Sequence, residues 1–289
     1  MTTAPLDPTS APPGQAQPAE TTPAGRAAGI DRDRLVRIVA LVLSGLLVVA
    51  IAGEVVEILT NLDRLAFPID GDRVLYMDAT RSWLNGTGFY HDYQLAGPYD
   101  VRSGDILYPP PMLLVFAPLA VIPEPLSAAL YYAIPLGITL GAVLWLRPSV
   151  VGWPAILFCL WWPTTIVVIA GGNPGIWIMA FMALGTLWRP ASVLVFLKPT
   201  LAPFAFFGAN RRSWWIALGA LGLVSLLFLP MWFDYLAAIR NANGGGGIFY
   251  SIGQAPMLFL PLAAWATSGR RFASRAAAVS PSVPPPTPA

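Results

Sequence analysis

Residues 68–123 read PIDGDRVLYMDATRSWLNGTGFYHDYQLAGPYDVRSGDILYPPPMLLVFAPLAVIP. The chain on either side is apolar, whereas the first two thirds of this stretch are polar, acidic and rich in turn residues. Of the 15 acids in the chain, seven fall between the first two long apolar runs: Asp63, Asp70, Asp72, Asp78, Asp92, Asp100 and Asp105. The stretch then returns to apolar sequence through Tyr108-Pro109-Pro110-Pro111. A chain that gathers its carboxylates into one early loop is expected to do its chemistry there.

The rest of the composition fixes the setting. The 289 residues are 56% hydrophobic and only 11% charged, with a mean hydropathy of +0.62. A soluble domain carries about a quarter charged residues, so too little charge is present to cover a water-facing surface. The expected fold is an all-α, polytopic bundle of transmembrane helices. A formal net charge of +2 gives no nucleic-acid-binding surface. One cysteine, Cys159, excludes a disulfide within the chain and a thiolate metal site, and one histidine, His91, excludes a multi-histidine site. Neither a metal nor a cofactor is expected. Residues 1–30 and 273–289 are low-complexity and read as disordered tails, leaving 31–272 as one transmembrane domain. The opening residues do not read as a secretory signal, because the apolar run begins only after Arg37.

Leu35–Ile58 is the first expected span. Arg32, Arg34 and Arg37 precede it, which points that end to the cytoplasm and makes Asn61–Tyr108 a large first external loop. Glu54 and Glu57 share a face near its outer end and mark the water boundary or line the site. Within the loop, Asp72–Asn85 has helical spacing, with Leu75, Ala79, Ser82 and Trp83 on one side, Asp72 at the N-cap position and Gly86 and Gly88 as the stop. Such a helix suits the membrane interface. His91–Asp105 lacks periodicity and reads as loop. Further apolar runs follow at Pro109–Ile122, Leu126–Leu146, Val151–Ala170, Ile176–Trp188, Ala191–Phe207, Trp214–Trp232 and Pro256–Ala266, giving about eight spans. A hard turn occupies Gly171–Gly175, and a polar segment with four glycines, Gly244 to Gly247, precedes the last run. This count places Arg211-Arg212 and the Arg270, Arg271 and Arg275 cluster inside. It also places Arg147 and Arg189 outside, against the positive-inside rule. The two short runs flanking Asn173 read alternatively as a re-entrant pair.

Lys198 is the sole lysine and sits within an apolar run. An intramembrane cation costs about 2.5–3.5 kcal/mol on insertion scales, so it faces a cavity and an anionic partner such as a lipid-linked phosphate, or it snorkels to an interface. The loop aspartates suit a general base that removes a proton from an acceptor hydroxyl, with turn and helix-cap roles as the alternative for each. His91 reads as an exposed loop residue. Trp83, Phe89, Tyr90, Tyr93, Tyr99 and Tyr108 either stack on sugars or anchor the interface.

Asp72, Tyr76, Ala79, Leu84, Gly86 and Tyr90, followed by Tyr108-Pro109-Pro110 and Pro118-Leu119-Ala120, form a pattern that resembles the start of integral-membrane glycosyltransferases of GT-C architecture. The pattern is most similar to glycosyltransferase family 87, the polyprenyl-phosphate-mannose-dependent α-mannosyltransferases. Gly172-Asn173-Pro174 stands where that family has a Gly-Gln-x-Asn turn, although the glutamine is absent, and Phe196-Leu197-Lys198-Pro199 matches its Leu-Lys-Pro segment. Family members commonly continue with further spans beyond the position of Ala266.

The resemblance implies a GT-C bundle and transfer of a hexose, often mannose, from a polyprenyl phosphate carrier to an envelope glycolipid or glycan at the outer face of the plasma membrane. The family's functional acid maps to Asp72, with Asp70 and Asp78 close enough to compete. Lys198, Tyr108 and Asn173 are the expected substrate-binding residues. The implied partners are membrane lipids, the lipid-linked donor and the acceptor. The alternative is a catalytically inactive GT-C-like protein that binds or transports a lipid-linked sugar.

Overall fold

The computed structural model describes residues 31–61, 69–102, 104–243 and 252–269. The expected tails, Asp63, Gly244 to Gly247 and the Arg270, Arg271 and Arg275 cluster lie outside the described residues. Helices dominate the chain as expected: α1 (Arg32–Thr60), α2 (Gly71–Leu84), α3 (Asp92–Ala96), α4 (Leu113–Ala120), α5 (Glu124–Leu146), α6 (Trp153–Trp161), α7 (Pro163–Ala170), α8 (Gly175–Leu187), α9 (Ala202–Ala205), α10 (Arg212–Ser225), α11 (Leu229–Asn241) and α12 (Ala255–Ala266). Two short strands, β1 (Tyr99–Asp100) and β2 (Ala242–Asn243), pair in parallel.

Among the described residues, three helical stretches are long and apolar enough to cross a membrane: α1, α5 and the continuous run Arg212–Asn241. Residues Val150–Trp161 and α7 make a fourth if counted as one span, bent by 59°. The bend follows from Trp162-Pro163. The residue before a proline avoids the helical region, and Trp162 is extended at φ −52° and ψ 127°. About eight apolar runs in all were expected to cross, and three of the others are shorter elements: Pro110–Ala120, Gly175–Leu187 and Ile252–Ala266. With 13 residues, α8 covers roughly 20 Å of a hydrocarbon layer about 30 Å thick. The expected span Ala191–Phe207 is not an α-helix. It begins within a 3-10 helix, Arg189–Leu197, breaks at Lys198-Pro199, and goes on through short turns and α9.

The half-length elements occupy the middle of the protein. All of α8 is buried except Leu184 and Leu187, and it packs against α5, α12 and the 3-10 helix. Gly185 permits the last of these contacts, since a Cβ there would lie 2.8 Å from Ser192 Cβ. Small residues allow helices this approach. By contrast, α1 buries only Ala40 and leaves a nearly continuous apolar surface, as a lipid-facing span does.

The run Pro110–Ala120 does not cross. Tyr108, just before it, bonds to Asn173, while the Ala120 carbonyl accepts from Arg81 Nε at 3.3 Å and Glu124, just after it, pairs with Arg73 and Arg81. Both ends therefore stay with the loop, and α4 packs on α2. This corrects the expected topology by one crossing. The Arg147 carbonyl accepts from the Gly269 N–H at 3.1 Å, and the Arg189 guanidinium stacks over Phe207 and Trp265, 3.9 and 4.8 Å from the ring centroids. Gly208, which packs on the Arg189 carbonyl, accepts from the Arg211 N–H at 3.0 Å. Residues Val150–Gly152 also pack on α1. Arg32, Arg34, Arg37, Arg147, Arg189, Arg211 and Arg212 thus gather at one end, opposite the acidic loop. The placement of Arg147 and Arg189 on the loop side is overturned.

The corrected topology has a direct check. In a Cys159→Ala background, cysteines placed at Ser149 and Asn210 should react with a membrane-impermeant thiol reagent from the same side. A cysteine at Thr87 should react from the opposite side. Labelling of Ser149→Cys from the Thr87 side would restore the earlier count.

Candidate active site

The site begins where two helix ends meet. The first N–H groups of a helix lack partners within it, and here the end of α7 supplies them. The Asp70 N–H donates to the Ala170 carbonyl and the Asp72 N–H to the Gly171 carbonyl, both at 2.9 Å. Asp70, not Asp72, precedes the helix, at φ 61°, a left-handed conformation that Asp tolerates better than most residues. The expected N-cap role of Asp72 is therefore corrected. Its carboxylate is not needed as a cap and instead accepts from Asn173 Nδ2 at 2.6 Å.

Asn173 is the centre of the cluster. Gly172 turns the chain at φ 69° immediately before it. Asn173 Oδ1 accepts from the Gly175 N–H at 2.9 Å, starting α8. The same oxygen accepts from Tyr108 Oη at 3.1 Å and from Lys198 Nζ at 3.3 Å. Lys198 Nζ also donates to Tyr108 Oη at 2.5 Å and to Gln254 Oε1 at 2.7 Å, and lies 4.7 Å from the Tyr108 ring centroid. Its side chain is 2% exposed, so Lys198 does not snorkel. The 3-10 helix ends at Lys198, which is extended before Pro199. This break in the backbone aims the ammonium inward. Tyr108 is buried and meets Tyr76 edge-on, with centroids 5.1 Å apart. The four expected residues Asp72, Asn173, Tyr108 and Lys198 thus form one hydrogen-bonded cluster, drawn from α2, the α7–α8 turn, the segment before α4 and the Lys-Pro break.

The alternative acids have different surroundings. The Asp70 carboxylate takes hydrogen bonds from Arg73 Nε at 2.7 and 2.8 Å, from Arg73 Nη2 at 2.6 Å and from Tyr132 Oη at 2.8 Å. Arg73 also reaches Glu124 Oε1 at 2.6 Å, and Arg81 joins Glu124 to Asp78. Asp70, more than Glu124, holds the Arg73 pKa above its ordinary value against the pull of desolvation. Asp78 is exposed and paired with Arg81 at 3.0 Å. Asp72, in contrast, is half-buried and lines a cavity of about 290 Å³ together with Leu75, Tyr76, Asp105 and Asn173.

Much of the expected loop is folded rather than open. The buried face of α2 carries Arg73, Tyr76, Met77, Ala79 and Thr80. Of the face read from the sequence, only Ala79 is buried, because α4 covers a different side. The segment expected to be loop contains α3 and β1. His91 stacks on Tyr93 and shares a hydrogen bond with the Gly104 carbonyl at 3.2 Å, so it is not a free loop residue. Tyr93 donates to Asp105 at 2.5 Å. Burial, with Asp105 adding to it, pushes its pKa to about 12, keeping the donor proton in place. Tyr90 donates to the Tyr108 carbonyl at 2.8 Å, and Tyr99 donates to the Ala238 carbonyl at 3.1 Å, docking the loop on α11. Phe89, Tyr90 and Tyr99 are core residues rather than interface anchors, whereas Tyr93 stays exposed. Glu57 is exposed and Glu54 half-buried on α1, and neither lines the Asp72 cavity. Sequence reading missed Gln254 and the Arg73–Glu124 pair. Only a polar residue at the edge of the last apolar run, and an arginine three residues after Asp70, hinted at them.

The ion-pair network predicts a stability difference. Removing one partner of a buried pair costs about 3–5 kcal/mol, whereas an exposed pair is worth about 0–1 kcal/mol. Arg73→Met should therefore lower stability by roughly 3 kcal/mol, and Arg81→Met by no more than about 1 kcal/mol. Thermal unfolding in detergent would show the difference, and equal shifts would contradict the assignment.

No curated protein and no solved structure matches the chain. Residues 107–245 match the family model of glycosyltransferase family 87. That stretch carries Tyr108, Asn173 and Lys198, and over it the chain is similar to glycosyltransferase family 87.

Proposed function

We propose that the protein transfers a hexose, mannose foremost, from a polyprenyl-phosphate-linked donor to an envelope glycolipid or glycan at the outer face of the plasma membrane. The observation that carries this reading is the series Asp72–Asn173–Lys198. An acid facing a cavity and a buried cation are joined through one amide.

Glycosyl transfer asks for both. Asp72, through the carboxylate oxygen not held by Asn173, accepts the proton of the acceptor hydroxyl. The acceptor oxygen then bonds to the anomeric carbon as the bond from that carbon to the phosphate oxygen breaks. Polyprenyl phosphate departs with the electron pair, and Lys198 meets the charge that develops on it. Tyr108 and Asn173 orient the ammonium. Gathering of the arginines at the end opposite the loop supports a cytoplasmic arginine end and an external site. There the available donor is lipid-linked rather than a nucleotide sugar.

Asp72→Asn should leave the unfolding temperature nearly unchanged while turnover of a polyprenyl-phosphate mannose donor falls by roughly two orders of magnitude or more. Asp70→Asn, assayed below its lowered unfolding temperature, should keep most of the parent turnover. An Asp72→Asn protein as active as the parent removes the base assignment, and a parent that binds the donor without turning it over favours the non-catalytic carrier reading. Lys198→Met should raise the donor concentration needed for half-maximal rate by about tenfold or more, the scale of losing a charge-assisted contact. Unchanged donor dependence would take Lys198 out of phosphate recognition.

A further inference from the structure

A second cavity, of about 400 Å³, lies against the same helix as the first and is lined by Leu75, Asp78, Ser82, Thr87, His91 and Asp92, among others. Leu75 borders both cavities. Asp72, Leu75, Ala79 and Ser82 follow one another at helical spacing of three, four and three residues. They therefore form one stripe along α2, which floors both spaces. From Asp72 to Ser82 the stripe runs roughly 15 Å at 1.5 Å per residue, longer than a single pyranose ring. Both volumes fall at or near the lower end of the range of small-ligand pockets, about 300–1,000 Å³.

Carboxylates outnumber cations in the lining. The outer cavity holds the Asp78 and Asp92 carboxylates, and the inner one holds Asp72 and Asp105 together with Arg102. The cations nearby are engaged. Arg81 bridges Asp78 and Glu124, and the Arg102 guanidinium lies over the Tyr93 ring, 5.1 Å from its centroid. The Thr87 hydroxyl donates to the Ser82 carbonyl at 2.9 Å, which leaves its lone pairs as acceptors. Such a lining accepts hydrogen bonds from hydroxyl groups, while Leu75 and Ala79 offer apolar surface to a ring face. It repels anions, and like-charge juxtaposition is how a site rejects a wrong ligand.

We propose that this trough is the acceptor subsite. It takes a neutral oligosaccharide, presents its terminal hydroxyl to Asp72, and refuses an acidic glycan of the same length. The inference rests on the transfer reading above and specifies its acceptor class. The donor phosphate then belongs on the Lys198 side of Asn173, away from the carboxylates.

The test is a binding measurement that does not need catalysis. Purified full-length protein in lipid nanodiscs is titrated with mannotriose and with trigalacturonate, followed by ligand-observed NMR. Mannotriose should bind at least tenfold more tightly than trigalacturonate. Ser82→Trp, which fills the outer cavity, should weaken mannotriose binding tenfold or more. The double variant Asp78→Asn/Asp92→Asn should narrow the discrimination between the two probes, a readout that stands even if Ser82→Trp fails to fold. Equal binding of both probes, binding of neither, or mannotriose binding untouched by Ser82→Trp would overturn the trough. A parent that transfers sugar but shows one of those results keeps the transferase reading and loses this one. A parent that binds mannotriose as described without transferring sugar does the reverse.

Discussion

The junction between the end of α7 and the start of α2 is the constraint on which the site depends. Two helix ends that would otherwise each need caps satisfy one another, through the Asp70 and Asp72 N–H groups and the Ala170 and Gly171 carbonyls. Exposed carbonyls and N–H groups at membrane depth are costly, so this pairing fixes the loop helix against the bundle with little freedom. It also brings residues about a hundred positions apart within hydrogen-bonding distance, as Asp72 and Asn173 show. Arg73, Tyr132 and Gly172 close around the same junction. A Cβ at Gly172 would lie 2.7 Å from Tyr132 Oη and 2.8 Å from Arg73 Cβ, so the turn works only without a side chain.

A second consequence concerns depth. Full-length spans such as α1 and α5 surround elements too short to cross, above all α8 and the 3-10 helix. Short elements end inside the protein, and their ends carry polar groups. Asn173 starts α8 and Lys198 ends the 3-10 helix. Backbone breaks at membrane depth are tolerated where they are buried in protein or line a cavity, and here the breaks deliver the polar side chains.

The helical class, the long spans α1 and α5, and the polar residues Asp72, Tyr108, Asn173 and Lys198 that the fold joins by hydrogen bonds stood out in the sequence. Apolar length and isolated polar residues within apolar runs are strong local signals. The path of Pro109–Ile122 was not legible. An apolar run of that length is compatible with a tilted span, and only the contacts of Tyr108, Ala120 and Glu124 show that it returns. The buried face of α2 was misread for a related reason: periodicity identifies a stripe, but the neighbour α4 decides which stripe is covered. The capping role read for Asp72 failed because a sequence cannot reveal that carbonyls from a distant helix have already taken the donors a cap would serve. Gln254 was hidden at the boundary of an apolar run, where a polar residue is ordinary.

The amide of Asn173 has a direction. Its oxygen receives three donors, from Gly175, Tyr108 and Lys198, and its nitrogen gives to Asp72. Turning the group over would set an NH₂ against an ammonium and a backbone N–H, and an oxygen against a carboxylate, so Lys198, Gly175 and Asp72 all oppose the flip. The amide therefore separates two chemistries while touching both. It keeps the acid and the cation from collapsing into a direct ion pair, in which each would neutralise the other. A carboxylate in its place would be the same size and would erase that separation. The cluster keeps its opposite charges apart by placing between them a neutral group that can face only one way.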